Sequence, residues 1–487
     1  MKNFIDIYLK LRCTIFQMEI KDFRCLFNSF FWPTDQYLGI TYGSKAFITS
    51  DQISKRDYVL LLSRLFYNIW YVCFLLFNKL FIKAQKRETI YSNPNKNVNF
   101  LIFTWLYKDQ ISAFISDRKS VYWGEFFLEA EKHVQILVCA VDYQKWNDAD
   151  IECLIKNGCM IMGLDKSLHL ESLVTSVKIS LIPFLNLLFK SKDIYMALLF
   201  LSSILDKRYL SSLEIYSNLK KKLNGFNLNL ITLWEGQPEH RAITAAFKEN
   251  NLLVFGYIHS SLSINPSFAS KIDIGNLGIA FPDRVFIHGS DHMTGLLSIG
   301  WSPEDIHIVK SERYVRMNKK EFFEGNLYLP YSVNISKKFL SLWLNISLHL
   351  NFTISSIKIH PESKDNPEIR AMLKRVPLEA NSKDVFVAGF STVLFEALES
   401  GCENVYQIIL DDESGLIDEK IYPSLIQRRI DRNVIKLYLP KENIRGRFIK
   451  YHCEDTILNH LNTLIESRVS NHARSEIGIG KRINSNL

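Results

Sequence analysis

Two kinds of hydrophobic pattern follow one another along the first half of the chain. Continuous apolar runs occupy residues 98–106, 134–141, 228–234 and 251–259. Such runs are typical of strands buried on both faces of a parallel sheet. Stretches with helical spacing lie between them, at 148–158 and 195–223. Strands that alternate with helices predict an α/β unit with a parallel sheet.

A second alternating series of strand-like runs follows the first. Its runs lie at 284–290, 305–311, 326–332, 356–361, 384–391 and 404–410. Helical patterns at 337–350 and 391–401 lie between the later runs. We therefore predict two Rossmann-like, doubly wound units, with the connection between them near 310–325.

With 487 residues, the chain is too long for one ordinary hydrophobic core, so we expect several domains. The last segment has little apolar periodicity, so we expect a disordered tail. The predicted division is an N-terminal mixed and helical region at 1–95, a first unit at 98–315, a second unit at 316–465 and the tail at 466–487.

Composition and charge narrow the class of protein. A hydrophobic content of 47% with 23% charged residues is that of a globular protein. The net charge of +8 is concentrated in short clusters such as Lys220–Lys222, which suit a solvated face or an anionic partner surface. There is no zinc-ligand spacing and no nucleic-acid motif, so we expect no nucleic-acid partner. The eight cysteines form no C-x-x-C pair and the N-terminus has no signal-peptide pattern, which predicts a cytoplasmic protein.

One apolar segment, at 65–82, is a candidate for contact with a membrane. Its longest unbroken apolar run, Ile69–Phe77, is nine residues, well short of the roughly 20 that a membrane span needs. Its aromatic residues and trailing lysines suit an interfacial helix that lies on a membrane surface, which would make the protein a peripheral membrane protein. They suit equally a helix packed in a core or against a partner chain, and the pattern leaves both alternatives open.

A histidine and a proline follow the strand-like run at 356–359. Proline has no backbone N–H for a sheet ladder and restricts the residue before it to extended backbone, so Pro361 ends the strand. His360 then lies at the carboxyl end of a strand, where open α/β sheets bind their ligands. The alternative is an ordinary surface-loop histidine.

A carboxylate occupies the corresponding place in the first unit. The strand-like run 228–234 ends at Trp234, and Glu235 follows in a short turn before a helix that begins near Glu239. A carboxylate at this edge can act as a general base if it faces a cleft. Alternatively, Glu235 stabilises the start of the helix through the helix dipole.

The segment 384–401 has the most structured pattern in the second unit. A strand is followed by a turn at Gly389, and Ser391 and Thr392 then begin a helix that ends before Gly401. Two hydroxyls beside backbone N–H groups at a helix start make an anion site that suits a nucleotide phosphate. The alternative is that Ser391 only caps the helix.

In their order along the chain, these motifs resemble GT-B glycosyltransferases that use CMP-activated acidic sugars, namely bacterial sialyltransferases, polysialyltransferases and Kdo transferases. Sialyltransferases carry an acidic-acidic-Gly motif, then His-Pro, then a Ser/Thr pair. Here Trp234-Glu235-Gly236, His360-Pro361 and Ser391-Thr392 stand in that order. The runs at 234–247, 254–261, 282–289 and 295–314 also resemble bacterial surface-carbohydrate biosynthesis proteins. The similarity covers roughly residues 98–455.

The resemblance implies a GT-B fold, in which two Rossmann-like units face a central cleft, and roles for particular residues. Glu235 would deprotonate the acceptor hydroxyl, and His360 would contact the donor phosphate and assist departure of the nucleotide. The implied donor-binding residues are Pro361, Gly389, Ser391, Thr392, Glu396, which would reach ribose hydroxyls, and Arg313, a phosphate contact. The implied partners are a nucleotide-sugar donor and a glycan or lipid-linked acceptor of capsule or lipopolysaccharide synthesis.

The sequence departs from the sialyltransferase pattern at one position, because Trp234 stands where that motif has an acidic residue. No Asp-x-Asp motif lies near a strand end, so we expect transfer without a metal ion or other cofactor. Two alternatives stay open: a polyol-phosphate transferase or sugar-nucleotide epimerase on the same fold, and a noncatalytic scaffold of a polysaccharide assembly complex.

Overall fold

The structure is a computed structural model of the chain, and it is described where the placement of each residue is defined. The described residues are 55–81, 90–95, 98–120, 122–130, 134–140, 146–163, 185, 189, 194, 198, 201–202, 205, 207–234, 238–259, 281–298, 300–312, 320–330, 333–359, 366–389, 391–409, 422–431, 435–440, 446–449 and 455–463.

A first sheet organises the described residues between 90 and 312. Its strands are β1 (Ile90–Tyr91), β2 (Phe100–Leu106), β3 (Val134–Ala140), β4 (Met160–Gly163), β5 (Asn229–Leu233), β6 (Val254–Ile258), β7 (Arg284–Ile287) and β8 (Ile306–Ile308). Their order is β1-β4-β3-β2-β5-β6-β7-β8. All neighbouring pairs are parallel except β1 with β4. From β4 to β7 this is the doubly wound order of a Rossmann fold, and the order reverses between β2 and β5.

A second sheet lies C-terminal to the first. Its strands in the described residues are β9 (Asn326–Tyr328), β10 (Ser356–Lys358), β11 (Val385–Ala388), β12 (Val405–Ile408), β13 (Leu425–Asp431) and β14 (Ile435–Pro440). Their order is β10-β9-β11-β12-β14-β13. The first four are parallel, whereas β14 and β13 are antiparallel additions at one edge. This order is also doubly wound, and it reverses between β9 and β11.

Helices precede, connect and follow the strands in the described part of the chain, and those between parallel strands are the ones that a doubly wound fold requires. They are α1 (Lys55–Phe81), α2 (Ile111–Asp117), α3 (Phe126–Ala130), α4 (Asp148–Lys156), α5 (Lys207–Leu223), α6 (Pro238–Glu249), α7 (Ser290–Ser298), α8 (Val333–Leu350), α9 (Pro367–Leu373), α10 (Val393–Glu399) and α11 (457–463). Single 3-10 turns lie at Lys108–Gln110, Pro303–Asp305 and Lys320–Phe322.

Local sequence signals explain where several helices begin. Before α4, the Asn147 side chain accepts the backbone N–H of Asp150, and the Asp150 side chain accepts the N–H of Asn147, which is a capping box. Before α9, the Asn366 side chain accepts two backbone N–H groups, and Pro367 occupies the first helical position. These contacts satisfy backbone donors that the helix itself leaves unpaired.

The cores form as the patterns predict, because the central strands are buried on both faces. Every residue of β3 and β5 is buried. Ile457 and Leu461 of α11 belong to the core cluster of the first sheet, so the described C-terminal helix packs on the first unit. A second cluster contains Val285 and Ile287 of β7 together with Val385 and Val387 of β11. The two units therefore share apolar contacts.

The prediction of an α/β fold with two doubly wound units is confirmed by these strand orders. The antiparallel strands β13 and β14 and the short strand β4 have no counterpart among the sequence predictions. Several strands are shorter than their runs, since the run at 326–332 yields only Asn326–Tyr328. The predicted boundaries after 95, 315 and 465 stay predictions, and the predicted tail at 466–487 lies outside the described residues.

Helix α1 extends the predicted segment 65–82 toward the N-terminus. One of its faces is buried, including Leu61, Leu65 and Val72, and the Asn68 side chain donates to the carbonyl of Ser202 at 2.7 Å. The opposite face exposes apolar side chains, of which the aromatic ones are Phe66, Tyr67, Trp70 and Phe74. Within the described residues, no helix is both long and apolar enough to cross a membrane.

Candidate functional site

Three parallel strands of the second sheet, β10, β9 and β11, end at one edge. In the chain, His360 follows two residues after the end of β10, and Gly389 follows β11 directly. Since β10 and β11 both pair in parallel with β9, their carboxyl ends share this edge. Adjacent strands lie about 4.8 Å apart, so the ends of β10 and β11 are roughly 10 Å apart. This edge contains the switch point between β9 and β11, where doubly wound folds bind ligands.

The turn after β11 is held in a defined conformation. Gly389 has a φ of 69°, a left-handed backbone that favours glycine. Its carbonyl accepts a hydrogen bond of 2.9 Å from the Gln407 side chain, and Gln407 in turn accepts the hydroxyl of Tyr438 at 2.7 Å. Both supporting side chains are fully buried. Gly389 therefore has the backbone conformation of the predicted turn, and side chains of β12 and β14 support it.

The two predicted hydroxyls come immediately before helix α10, which begins at Val393. Ser391 and Thr392 are both half-buried. The hydroxyl oxygen of Ser391 lies 3.4 Å from the backbone nitrogen of Val393, whose N–H it accepts. The residue at the N-cap position of α10 is Thr392, whose side chain makes no capping hydrogen bond, and the Ser391 contact lies one residue before it. Both the capping role of Ser391 and its role toward a phosphate stay predictions.

Glu396 lies on the buried side of α10 rather than on an exposed one, with only 4% of its surface exposed. Glu396 is close enough to affect Tyr328 of β9 electrostatically. The pKa of the Tyr328 hydroxyl is raised, mainly because the hydroxyl is buried and secondly because the Glu396 carboxylate is nearby. Tyr328 itself donates to the backbone carbonyl of Phe322 at 3.2 Å. The predicted contact of Glu396 with a ribose stays a prediction.

Four of the predicted site residues lie outside the described residues: Glu235, Arg313, His360 and Pro361. The residues that directly precede Glu235, Arg313 and His360 in the chain are described. Trp234, which precedes Glu235, follows β5 at the switch point of the first sheet, and Glu312 precedes Arg313. The roles of these four residues stay predictions.

The switch point of the first sheet contains an imidazole that the sequence did not single out. His240 of α6 is fully buried. Its ring centre lies 5.4 Å from that of Phe103 and 5.8 Å from that of Trp105, both on β2, and 6.5 Å from that of Trp234. His240 thus fills the space between the ends of β2 and β5.

Two more histidines follow strands of the first sheet. His259 comes directly after β6, and its ring centre lies 5.0 Å from that of Tyr122. His288 comes directly after β7, and its ring centre lies 4.8 Å from that of His292 in α7. A signal for them exists in the sequence, since Ile258-His259, Ile287-His288 and Ile359-His360 repeat one pattern at strand ends.

The His292 imidazole lies where the two units meet. Its ring contacts Phe395 of α10 and Tyr422, with centroid distances of 6.5 and 5.7 Å. Neither ring nitrogen has a hydrogen-bond partner among the described residues, and the side chain is fully buried. Burial lowers the pKa of His292 from 6.5 to about 3, because the charged form loses its hydration.

Polar contacts at the same junction tie α7 to the second unit. The Asp291 carboxylate accepts hydrogen bonds of 3.1 Å from both the backbone N–H and the hydroxyl of Ser424. A side chain at Gly289 would overlap the backbone carbonyl of Phe448. Glu399, at the end of α10, accepts the backbone N–H groups of Gly446, Phe448 and Ile449. The segment 446–449 therefore bridges the start of α7 and the end of α10.

Glu312, four residues after β8, is another buried titratable group of the first unit that sequence reasoning missed. It is 4% exposed, and within the described part of the chain its Oε1 atom has no hydrogen-bond partner. Burial raises its pKa from 4.5 to about 7, an effect that Lys310 reduces and Glu129 adds to. Only its burial in the folded chain distinguishes Glu312 from the exposed carboxylates nearby, so the sequence carries no signal for it.

Metal ligands were not expected from the sequence. Among the described residues, no group of three or more His, Cys, Asp or Glu side chains is arranged to hold a metal ion. Chemistry without a metal or cofactor stays a prediction.

Comparisons with known proteins add little to this geometry. No protein-family model matches the chain, and no curated protein matches it. Among solved structures, it is similar to the UDP-GlcNAc 2-epimerase from Neisseria meningitidis bound to UDP-GlcNAc, with 14% identity and a TM-score of 0.34. The match covers 67% of this chain and 86% of the epimerase chain. A similarity this weak supports no argument, so the fold assignment depends on the strand orders described above.

Proposed function

We propose that the protein is a glycosyltransferase of the GT-B type, which moves a sugar from a nucleotide donor to a glycan or lipid-linked acceptor. One observation carries the proposal: β10 and β11 end at the same edge of the second sheet, on either side of β9. His360 follows the first of these strands in the chain, and Ser391 and Thr392 follow the second. An imidazole and two hydroxyls that follow strands ending at one sheet edge would suit the phosphates of a nucleotide.

The chemistry needs charge balance at the departing phosphate and a proton acceptor for the attacking hydroxyl. In the proposed reaction, His360 donates a hydrogen bond or a proton to the leaving phosphate oxygen. The first unit supplies the acceptor side, where the resemblance assigns Glu235 as base. An arrangement that holds donor and acceptor together and excludes water favours transfer over hydrolysis.

The proposal also covers the class of sugar donor and the location of the protein in the cell. The order of motifs supports a CMP-activated acidic sugar such as sialic acid or Kdo, used in bacterial surface-polysaccharide synthesis. The exposed aromatic face of α1, with Phe66, Trp70 and Phe74, supports a cytoplasmic enzyme that binds the membrane surface peripherally. Such a location would bring the site close to lipid-linked acceptors.

The test is transfer of label from defined donors. The protein is incubated with radiolabelled CMP-, UDP- and CDP-sugars and total bacterial glycolipid extract, alongside His360→Ala and the control His349→Ala, which changes an exposed histidine on α8. We expect label in lipid or polymer with the wild type and the control, and none with His360→Ala. Isomerised nucleotide sugar would instead support an epimerase. No donor binding by calorimetry would support a noncatalytic scaffold.

A further inference from the structure

Glu312 lies at the start of the connection between the two units. It follows the edge strand β8 of the first sheet, and the next described strand, β9, belongs to the second sheet. Its backbone N–H donates to the Tyr257 hydroxyl at 3.1 Å. Tyr257 is on β6, and its ring centre lies 6.4 Å from that of His259, which follows the same strand. Glu312 is therefore near the carboxyl edge where the acceptor side of the proposed reaction is expected.

The backbone of Glu312 is fixed from two sides. Besides the bond to Tyr257, its carbonyl group packs directly on Gly124, where any side chain would overlap the carbonyl oxygen. Gly124 has a φ of 52°, which also favours glycine. The Gly124 loop is itself tied to β2, because the Trp123 indole donates to the carbonyl of Phe103 at 3.0 Å. These contacts fix the backbone from which the Glu312 carboxyl group extends.

The side chain of Glu312 is unusual for a structural residue. Buried carboxylates are normally paired with a cation or accept several hydrogen bonds, since an isolated buried charge is costly. Glu312 forms no salt bridge among the described residues, and its Oε1 atom accepts no hydrogen bond. Acid-base groups of active sites are often left in this state, because burial moves their pKa toward neutrality.

We propose that Glu312, rather than Glu235, is the general base of the transferase reaction. In this step the acceptor hydroxyl gives its proton to the Glu312 carboxylate while the hydroxyl oxygen bonds to the anomeric carbon of the donor sugar. The bond from that carbon to the phosphate oxygen breaks, and its electron pair leaves on the phosphate. Glu235 then serves to bind the acceptor. The inference rests on the proposed function.

The experiment compares Glu312→Gln with Glu235→Gln and with Glu304→Gln, an exposed carboxylate before β8. For Glu312→Gln, which has the shape of the protonated acid, we expect the rate of label transfer to fall roughly 10²–10⁴-fold. Its melting temperature at pH 8 should stay level or rise, because a buried charge is removed. Glu235→Gln should mainly raise KM for the acceptor, and Glu304→Gln should resemble the wild type.

The pH profile separates a catalytic from a structural role. Wild-type kcat should fall below about pH 7, as Glu312 takes up a proton. Glu129→Gln removes a neighbouring negative charge and should move this acid limb to lower pH, whereas Lys310→Gln should move it to higher pH. Both should keep the plateau rate, since neither group takes part in the reaction.

Three results would overturn the proposal. Glu312→Gln could keep the wild-type rate and acid limb while Glu235→Gln loses both, which would return the base to Glu235 and leave the proposed function standing. Glu312→Gln could lose activity and melting temperature together at pH 8, which would make Glu312 structural. Finally, absence of transfer by the wild type from every donor would remove the proposed function and this inference with it.

Discussion

His292 gives the sharpest test of the junction between the two units, because its burial makes stability depend on pH. The perturbation is His292→Phe. Phenylalanine keeps an aromatic ring against His288, Phe395 and Tyr422, which surround the imidazole. Since neither ring nitrogen of His292 has a hydrogen-bond partner in the residues that the structure describes, the substitution removes no polar contact there. What it removes is the ability to bind a proton.

The magnitude follows from the two pKa values. In the unfolded chain His292 binds a proton below about pH 6.5, whereas in the folded protein it does so only below about pH 3. Between these values the unfolded state holds one more proton, so the free energy of unfolding rises with pH and is lost on acidification. One pH unit corresponds to about 1.4 kcal/mol, and the full difference is therefore about 5 kcal/mol.

The assay is denaturant unfolding, followed by tryptophan fluorescence, at a series of pH values from 4 to 8. We expect the wild-type unfolding free energy to fall by about 1.4 kcal/mol more per pH unit than that of His292→Phe between pH 6 and pH 4. At pH 8 the variant should be at least as stable as the wild type. The control is His349→Phe, an exposed position at the end of α8, which should keep the wild-type slope.

Parallel pH dependences of the wild type and His292→Phe would refute the reasoning, because the imidazole would then titrate alike in the folded and unfolded chain. A large loss of stability at pH 8 would refute it differently. It would mean that a nitrogen of His292 makes a hydrogen bond that the packing of Phe395 and Tyr422 does not indicate.

Three further substitutions test the rest of the structure. His360→Ala should abolish transfer while the unfolding free energy stays within about 1 kcal/mol of the wild type, as for a change outside a core; a collapse of the melting temperature would make the residue structural. Gly389→Ala should cost about 1–2 kcal/mol, because φ is positive there and the nearest side-chain atom, of Phe339, leaves room for a methyl group. Calorimetry should also show weaker nucleotide binding, and unchanged stability would contradict the left-handed turn. Asp291→Ala removes two hydrogen bonds to Ser424 and should cost about 2–3 kcal/mol in denaturant unfolding, with a neutral result showing that the contact is not needed.

The sequence predicted most of the parallel strands because each is a short, continuous apolar run. The runs that became β2, β3, β5 and β6 are buried on both faces, as the absence of alternation indicated. The strands that escaped prediction are short or antiparallel. Strand β4 has four residues, and β13 and β14 pair with each other at the edge of a sheet, where polar residues such as Arg428 are exposed. Edge strands carry a weaker apolar signal.

Some residues of the candidate site could likewise be predicted from the sequence, and others could not. Gly389 could be assigned to a turn and Ser391 to a helix start from local sequence alone, because both depend on backbone geometry within a few residues. Glu312, His240 and His292 could not be found in this way. Their surroundings come from residues distant in the chain, such as Gly124, Trp105 and Phe395.

The sequence by itself determined that the chain alternates strands and helices in two series, since periodicity and turn residues act locally. Only the tertiary structure decided the order of the strands and therefore the places where that order reverses. Strand β2 pairs with β5 although more than a hundred residues separate them, and β9 lies between β10 and β11. Pairing of this kind depends on packing between distant segments. The same packing brings the ends of β10 and β11 to one edge and leaves Glu312 buried beside Tyr257.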